Sequence, residues 1–429
     1  MHKIERLLQT LAPKGVEFRK LGEVINILKG KQLNKELLLD YGEYPVMNGG
    51  IHASGYWNEY NIDYPKIIIS QGGASAGYVN YMTSKFWAGA HCYAIELNSE
   101  KLNYKFLYYF LKNSQIILMK SQFGAGIPAL NKADIETLTI PIPPLEIQQE
   151  IVKILDAFTE LNTELNTELK ARKKQYQYYQ NMLLDFNDIN SNHQDAKERL
   201  AQKTYPKRLK SLLQTLAPKG VEFRKLGDIG EYIRGVTYKK NQEINNLECG
   251  IKVLRANNIT LSNHLIFEDI KVINKNVKIR KEQYLKKNDI LICAGSGSSE
   301  HIGKVTFINT DLDYVFGGFM GVIRIREVNS RFVYHIFTSN IFKQYLEKSL
   351  NTTTINNLNA NILQNFLIPI PPLEIQQEIV KILDQFSILT TDLQAGIPAE
   401  IEARKKQYEY YREKLLAFKP LTPHKEVKK

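Results

Sequence analysis

Apolar residues recur at Ile147, Ile151, Ile154, Phe158, Leu161 and Leu165, a 4-3-4-3-4 spacing that predicts a helix with a heptad seam. The stripe resumes at Leu169, Tyr176, Tyr179 and Leu183 after a step out of strict phase, as a stutter gives. Few breakers lie between Glu146 and Phe186, so the helix should be about 60 Å long at ~1.5 Å per residue. Pro143-Pro144 just before it suits the end of an extended stretch and the first turn of a helix. A stripe of that length needs a partner. Ile375, Ile379, Ile382, Phe386, Leu389 and Leu393 repeat the spacing after Pro371-Pro372 and supply one. Related surfaces packing on each other imply a two-fold contact and an antiparallel pair, with the domains that precede the helices at opposite ends. The second helix has four extra residues before its ARKK string, where Ala395-Gly396-Ile397-Pro398 falls. Proline within a helix costs about 3 kcal/mol, so a kink or break is expected near Gly396.

The matching helices belong to a longer repeat. LLQTLAPKGVEFRKLG occupies 7–22 and again 212–227; IPIPPLEIQQEIVKILD occupies 140–156 and again 368–384; ARKKQYQYY at 171–179 returns as ARKKQYEYY at 403–411. The chain is therefore two copies of one unit. A leading segment (1–22, then 212–227) is followed by an insert (23–139, then 228–367) and a helical segment (140–211, then 368–429). The inserts share only echoes: Lys29-Gly30 with Arg234-Gly235, IIISQGGASAGYV with ILICAGSGSSEHIGKV, KFLYY with RFVYH. Identical frames around divergent inserts imply one fold carrying two surfaces. The first helix also holds the tandem TELN-TELN-TELK at 159–170, a helix-friendly run whose copy number would set helix length.

Within the inserts, PKIIIS, VNYM, HCYAIEL, NDILICA, KVTFIN and GVIRIRE read as strands. KFLYYFLKNSQIILMK and RFVYHIFTSNIFKQYLEKS read as helical, so each insert is α+β. Gly-rich loops carry polar residues suited to nucleic acid. Gln71, Ser75 and Tyr78 lie on one loop, and Ser296, Ser298 and Lys304 on its counterpart. Asn48, His91, Asn257 and Asn258 are candidate base-edge readers. Lys29, Lys31, Arg234, Lys239, Lys240 and Arg255 are candidate phosphate clamps. Asn131, Asn356 and Asn359 end their inserts in similar loops, where they would either cap the next helix or reach a ligand.

Lys plus Arg is 57 against 45 for Asp plus Glu, a net charge of +12, which favours a polyanionic partner through counterion release. The three cysteines, Cys92, Cys249 and Cys293, form no metal-binding or disulfide pattern, and no apolar run reaches the ~18 residues of a membrane span; a cytoplasmic protein is expected. The eight histidines are scattered without HExxH or zinc spacing. Gly297 to Lys304 is not a phosphate loop, since its spacing is one residue too long and Val305 replaces the hydroxyl residue. The PIPPLE strings lack the Asn and the aromatic of an amino-methyltransferase motif. No catalytic set and no metal site is identified.

The proline-to-helix string closing each insert, the ARKKQYxYY helices and the repeated LAPKGVEFRKLG segment together resemble the specificity subunit of type I restriction-modification systems, over nearly the whole chain. The resemblance implies two α+β target recognition domains joined by two long antiparallel coiled-coil helices in a pseudo-two-fold repeat. Each domain would read one half of a split, asymmetric site in double-stranded DNA. The helices would set the gap and dock two modification subunits, which bind S-adenosylmethionine and methylate adenine. Two restriction subunits would add translocation and cleavage. S-adenosylmethionine, ATP and Mg would belong to those partners, leaving this chain non-catalytic and without a cofactor. Ile147, Ile151, Ile154, Ile375, Ile379 and Ile382 would belong to the spacer, and Arg172, Lys173, Arg404 and Lys405 are candidate partner contacts. Two other readings stand beside it: a DNA methyltransferase with its own recognition domain, and a coiled-coil scaffold whose inserts bind proteins.

Overall fold

The computed structural model describes residues 2–124, 128–186, 205–244, 249–295, 301–350, 358–391 and 396–421. The chain divides into two units, 1–166 with 401–429 and 167–400. Each unit contains one insert, the first half of the helix that follows it and the last half of the other repeat's helix. The division at Asn166–Thr167 falls inside the TELN tandem.

In the first unit, α1 (His2–Leu11) leads through Gly15, at φ +105°, into β1 (Glu17–Lys20). That strand pairs antiparallel with β9 (Thr139–Ile142), Phe18 opposite Pro141. The two repeated strings therefore clasp each other across the neck of the insert. Between them run β2 (Ile25–Lys29), β3 (Tyr44–Met47), β4 (Gly55–Trp57), β5 (Lys66–Ser70), β6 (Val79–Met82), β7 (Trp87–Ala88) and β8 (Cys92–Leu97). They form a four-stranded antiparallel sheet, β2-β8-β5-β6, and a small sheet, β4-β3-β7, with β3 and β7 parallel. The apolar stretch after β8 divides at Ser114 into α2 (Tyr104–Asn113) and α3 (Gln115–Lys120), and α4 (Lys132–Glu136) precedes β9. Buried Ile67, Ile69, Ile95, Phe106 and Leu107 form the core with Ile147, Ile151 and Leu155 of α5 (Leu145–Leu184).

The second unit repeats this plan. α6 (Lys207–Leu216) leads into β10 (Glu222–Lys225), which pairs with β19 (Leu367–Ile370), Phe223 opposite Pro369. After the short α7 (Leu226–Ile229) come β11 (Gly230–Arg234), β12 (Glu243–Ile244), β13 (Ile251–Leu254), β14 (Lys271–Ile273), β15 (Ile290–Cys293), β16 (Val305–Phe307), β17 (Tyr314–Phe316) and β18 (Met320–Ile325). The large sheet, β11-β18-β15-β16, has the order of its counterpart; the small one, β12-β14-β13-β17, gains a strand. α8 (Ser330–Phe337), α9 (Asn340–Leu350) and α10 (Ala360–Gln364) correspond to α2, α3 and α4. The closing segment carries α11 (Leu373–Thr391) and α12 (Ile397–Leu415). Pro398 sits in the first turn of α12, where its missing N–H is not needed, and the Gly396 carbonyl accepts from Ala399 and Glu400. The expected kink or break adjoins residues 392–395, which lie outside the described residues.

The heptad seam is corrected in detail. Fully buried positions step by four, Ile147-Ile151-Leu155 and Ile375-Ile379-Leu383. Ile154 and Ile382 are only half-buried, and Leu389 is 38% exposed. These halves of the helices pack into an α+β core, which selects a 3.6-residue face, rather than into a helix seam alone. Leu161 is half-buried and Leu165 buried; Leu393 lies outside the described residues. The helix-to-helix contact is aromatic and occurs twice. Phe158 stacks on Tyr411 at 5.4 Å in one unit, and Phe386 stacks on Tyr179 at 5.1 Å in the other. Residue i of one repeat meets residue j of the other, and the reverse, as a self-complementary contact requires.

Candidate nucleic-acid interface

Two pieces of repeated chemistry fix each insert to its helix. The first is the buried glutamine of the IPIPPLEIQQEI string. Gln148 Nε2 donates to Pro143 at 2.6 Å and Lys101 at 2.8 Å, and its Oε1 accepts from the Asn103 N–H at 2.7 Å. Gln376 donates to Pro371 at 2.6 Å and accepts from Asn329 at 2.9 Å. Asn103 and Asn329 in turn cap α2 and α8. The second piece is an aspartate on the helix. Asp156 accepts from Tyr109 and pairs with Lys105 at 2.7 Å. Asp384 takes the buried His335 and Arg331, each at 2.8 Å. Burial pulls the His335 pKa below its ordinary value despite the carboxylate. None of these residues stood out in the sequence, because a buried amide looks like any other glutamine until its partners are placed.

At the far end of each large sheet, five loop positions are held by matching backbone hydrogen bonds. In the first unit the Gly30 N–H donates to Cys92 at 2.9 Å, Gly89 to Met47 at 2.9 Å, Gln71 to His91 at 2.9 Å and Leu130 to Gln71 at 2.8 Å. In the second, Gly235 donates to Met320 at 3.1 Å, Gly317 to Leu254 at 2.9 Å, Ala294 to Phe319 at 2.9 Å and Leu358 to Ala294 at 2.7 Å. Strand register agrees: Lys29 faces Tyr93, and Arg234 faces Gly321. Lys29, Asn48, Gln71, His91 and Asn131 of one unit thus correspond to Arg234, Arg255, Ala294, Phe319 and Asn359 of the other. One backbone site carries two side-chain sets.

The expected DNA contacts divide on this site. Lys29, Lys31, Arg234, Lys239, Lys240 and Asn257 are exposed, as is His91. Others are engaged within the protein. Asn48 Oδ1 accepts from the His91 N–H at 3.2 Å. The Gln71 side chain turns inward, its Oε1 buried. The Tyr78 N–H donates to the Ser75 carbonyl at 2.9 Å, and the Tyr78 ring lies 4.0 Å from the Lys112 ammonium. Arg255 is tied to Asp269 at 2.6 Å.

Two expectations are overturned. Asn258 is buried, accepting from the Arg255 N–H at 2.8 Å and donating to Ile266 and Glu268. Lys304 is buried, its ammonium donating to Ala256 and Ile259, and burial lowers its pKa. Both brace the 255–268 segment from inside, so neither can reach a groove. Asn131 and Asn359 resolve as helix caps: the Asn131 N–H donates to Asp134 at 3.2 Å, and Asn359 accepts from Ile362 at 2.9 Å. Ser296, Ser298 and Asn356 lie outside the described residues. Sequence reading missed Phe319, which is 74% exposed on this site; a phenylalanine between glycines and a strand reads as core.

Of the candidate partner contacts, Arg172 and Arg404 each donate to the glutamine three residues on, Gln175 at 3.2 Å and Gln407 at 3.1 Å. Lys173 and Lys405 are exposed. Buried Cys92 has its thiol pKa pushed up to about 12 by desolvation, and Cys293 is raised by the same cause. Among the described residues no helix is long and apolar enough to cross a membrane.

The family described as the type I restriction modification DNA specificity domain matches this chain twice, over residues 13–175 and 218–403. A Haemophilus influenzae protein provisionally named as a type I restriction enzyme specificity subunit is 32% identical, over 97% of this chain and 98% of its own. The EcoR124I/EcoR124II specificity subunit of Escherichia coli is 29% identical, over 98% of each. Among solved structures, the type I restriction-modification S subunit from M. genitalium superposes with a TM-score of 0.60 at 18% identity, covering 94% of this chain and 96% of that one.

Proposed function

This chain belongs to the type I restriction-modification DNA specificity family, and from that premise we propose that its two units read the two halves of one bipartite, asymmetric DNA site. The observation that carries the reading is the duplicated loop site: the same hydrogen-bonded backbone presents exposed Lys29 and His91 in one unit and exposed Arg234 and Phe319 in the other. A rigid scaffold with exchanged side chains is what two different sequence readers on one fold require. Exposed Lys29, Lys31, Arg234, Lys239 and Lys240 supply the phosphate contacts that position the duplex, and side chains between them face base edges. The net charge of +12 adds sequence-independent attraction.

In this reading the chain performs no chemistry. Two modification subunits dock on the helices, with Lys173 and Lys405 on the available face, and supply S-adenosylmethionine-dependent methylation of adenine. Two restriction subunits supply ATP- and Mg-dependent translocation and cleavage. The paired helices set the gap between the half-sites. Co-expression with a modification subunit, followed by methylation-sensitive sequencing, tests it. Adenine methylation confined to one two-part motif with a fixed gap is expected. Methylation by the purified chain alone would make it a methyltransferase, and tight capture of another protein without any DNA modification would make it a scaffold.

A further inference from the structure

The duplicated site places unlike residues at one exposed position: His91 in the first unit and Phe319 in the second. Both carbonyls are pinned. His91 accepts from Gln71, and Phe319 accepts from both Ala294 and Gly295, each at 2.9 Å. The Phe319 loop is fixed further by the Met320 N–H donating to Gly317 at 2.8 Å, while a Cβ on Gly235 would lie 2.1 Å from the Gly317 oxygen. Gly317 and Gly318 remove side chains from the two preceding positions, so the phenyl ring stands clear of the backbone. Phe319 is 74% exposed, whereas Phe316, three residues earlier, is wholly buried. A rigid loop does not let the ring fold back into the core. Exposed Arg234 lies on the adjoining strand, opposite Gly321, so the same sheet end carries a cation, which suits a polyanion.

We propose that Phe319 is a specificity-determining residue of the second unit, making apolar contact with the C5-methyl group of a thymine in the major groove. The proposal rests on the reading that each unit binds duplex DNA. An apolar side chain has no hydrogen bonds to offer a base edge. The thymine methyl is the apolar feature it can select, and the feature lies in the major groove. His91, on the same backbone, offers a ring nitrogen instead, so the two units select by different chemistry at one position.

The test uses the full chain assembled with its modification subunit, on duplexes carrying the mapped site. Each thymine of the second half-site is replaced singly by uracil, which removes only the methyl group. At one position uracil should weaken wild-type binding roughly fourfold, about what burying one methyl group supplies. Phe319→Ala should be weakened by the same factor on the thymine duplex and be indifferent to uracil there. His91→Ala should leave this second-half uracil profile unchanged. The proposal is overturned if Phe319→Ala binds like wild type, or if uracil is tolerated everywhere. It is also overturned if the variant loses affinity equally for all sequences, as a wedge between base steps would, or fails to assemble with the modification subunit. If the wild-type complex selects no bipartite site at all, the DNA-reading premise fails first and Phe319 falls with it. Unchanged thermal melting of the variant confirms that an exposed ring was removed without unfolding.

Discussion

Gly30 and Gly235 are the residues that allow the loop site to close. A Cβ at Gly30 would sit 2.1 Å from the Gly89 oxygen, and at Gly235 the same distance from the Gly317 oxygen. Both obstacles are backbone, so relief requires moving a strand. Gly30→Ala or Gly235→Ala should each cost about 1–3 kcal/mol, the usual range for overpacking. Urea melts of the full chain should show the loss, and each variant should weaken DNA binding through its own half-site only. A second expectation concerns His335. Burial holds its pKa below the ordinary 6.5, so it is neutral in the fold while the unfolded chain takes up a proton near pH 6.5. Its contribution is whole above that value and is lost as pH falls. The Asp384 carboxyl is pulled upward by burial, but its bond from His335 and the Arg331 charge hold it below 3.8, so its own loss begins only at lower pH. The first unit has Tyr109 in the histidine position and no such dependence in this range. Melting temperature should therefore fall between pH 7.5 and 5.5, and His335→Gln should flatten that slope; an unaltered slope would contradict the assignment.

At the level of elements, each long helix faces its own domain over one half and an aromatic partner at Phe158 or Phe386. Gln148 and Gln376 fasten the domain side. Replacing Gln376 with Leu strands the Asn329 N–H and the Pro371 carbonyl and should cost about 1–3 kcal/mol, measurable in the same urea melts. The TELN tandem lies between the two packed halves of α5. Its threonines return hydrogen bonds to the preceding turn, as Thr163 does to Thr159 at 2.8 Å. Deleting one copy should shorten the helix by ~6 Å, near two base pairs at ~3.4 Å each. Methylation mapping should show both half-sites unchanged and the gap reduced; an unchanged gap would separate helix length from site spacing.

These elements also mark how far the sequence was readable. The frame was legible because it is written twice. Three of the four strands in each large sheet were legible from apolar runs such as IIIS and ILIC, whereas β2 and β11 were not. The helix seam was read with the wrong period: Ile154 and Leu155 are adjacent and both apolar, and only the partner surface decides which one is buried. The loop site was legible in part. Lys29-Gly30 and Arg234-Gly235 were visible as an echo, whereas Asn258 and Lys304 have the composition of DNA contacts and the environment of core struts. Phe319 carried no sequence signal, since exposure is a property of its neighbours.

For the molecule as a whole, the account rests on the interchangeability of the two frames. Strands β1 and β9 have the same pairing register as β10 and β19, with Arg19 opposite Ile140 and Arg224 opposite Ile368. An insert should therefore fit either frame and read the same bases from it. The direct measurement is a chain in which residues 228–367 are replaced by a second copy of 23–139, co-expressed with a modification subunit and mapped by methylation-sensitive sequencing. The account predicts that the asymmetric site becomes an interrupted palindrome built from the first half-site twice, with the gap of the parent. Methylation of the parent's unaltered asymmetric site by this chimera would contradict it.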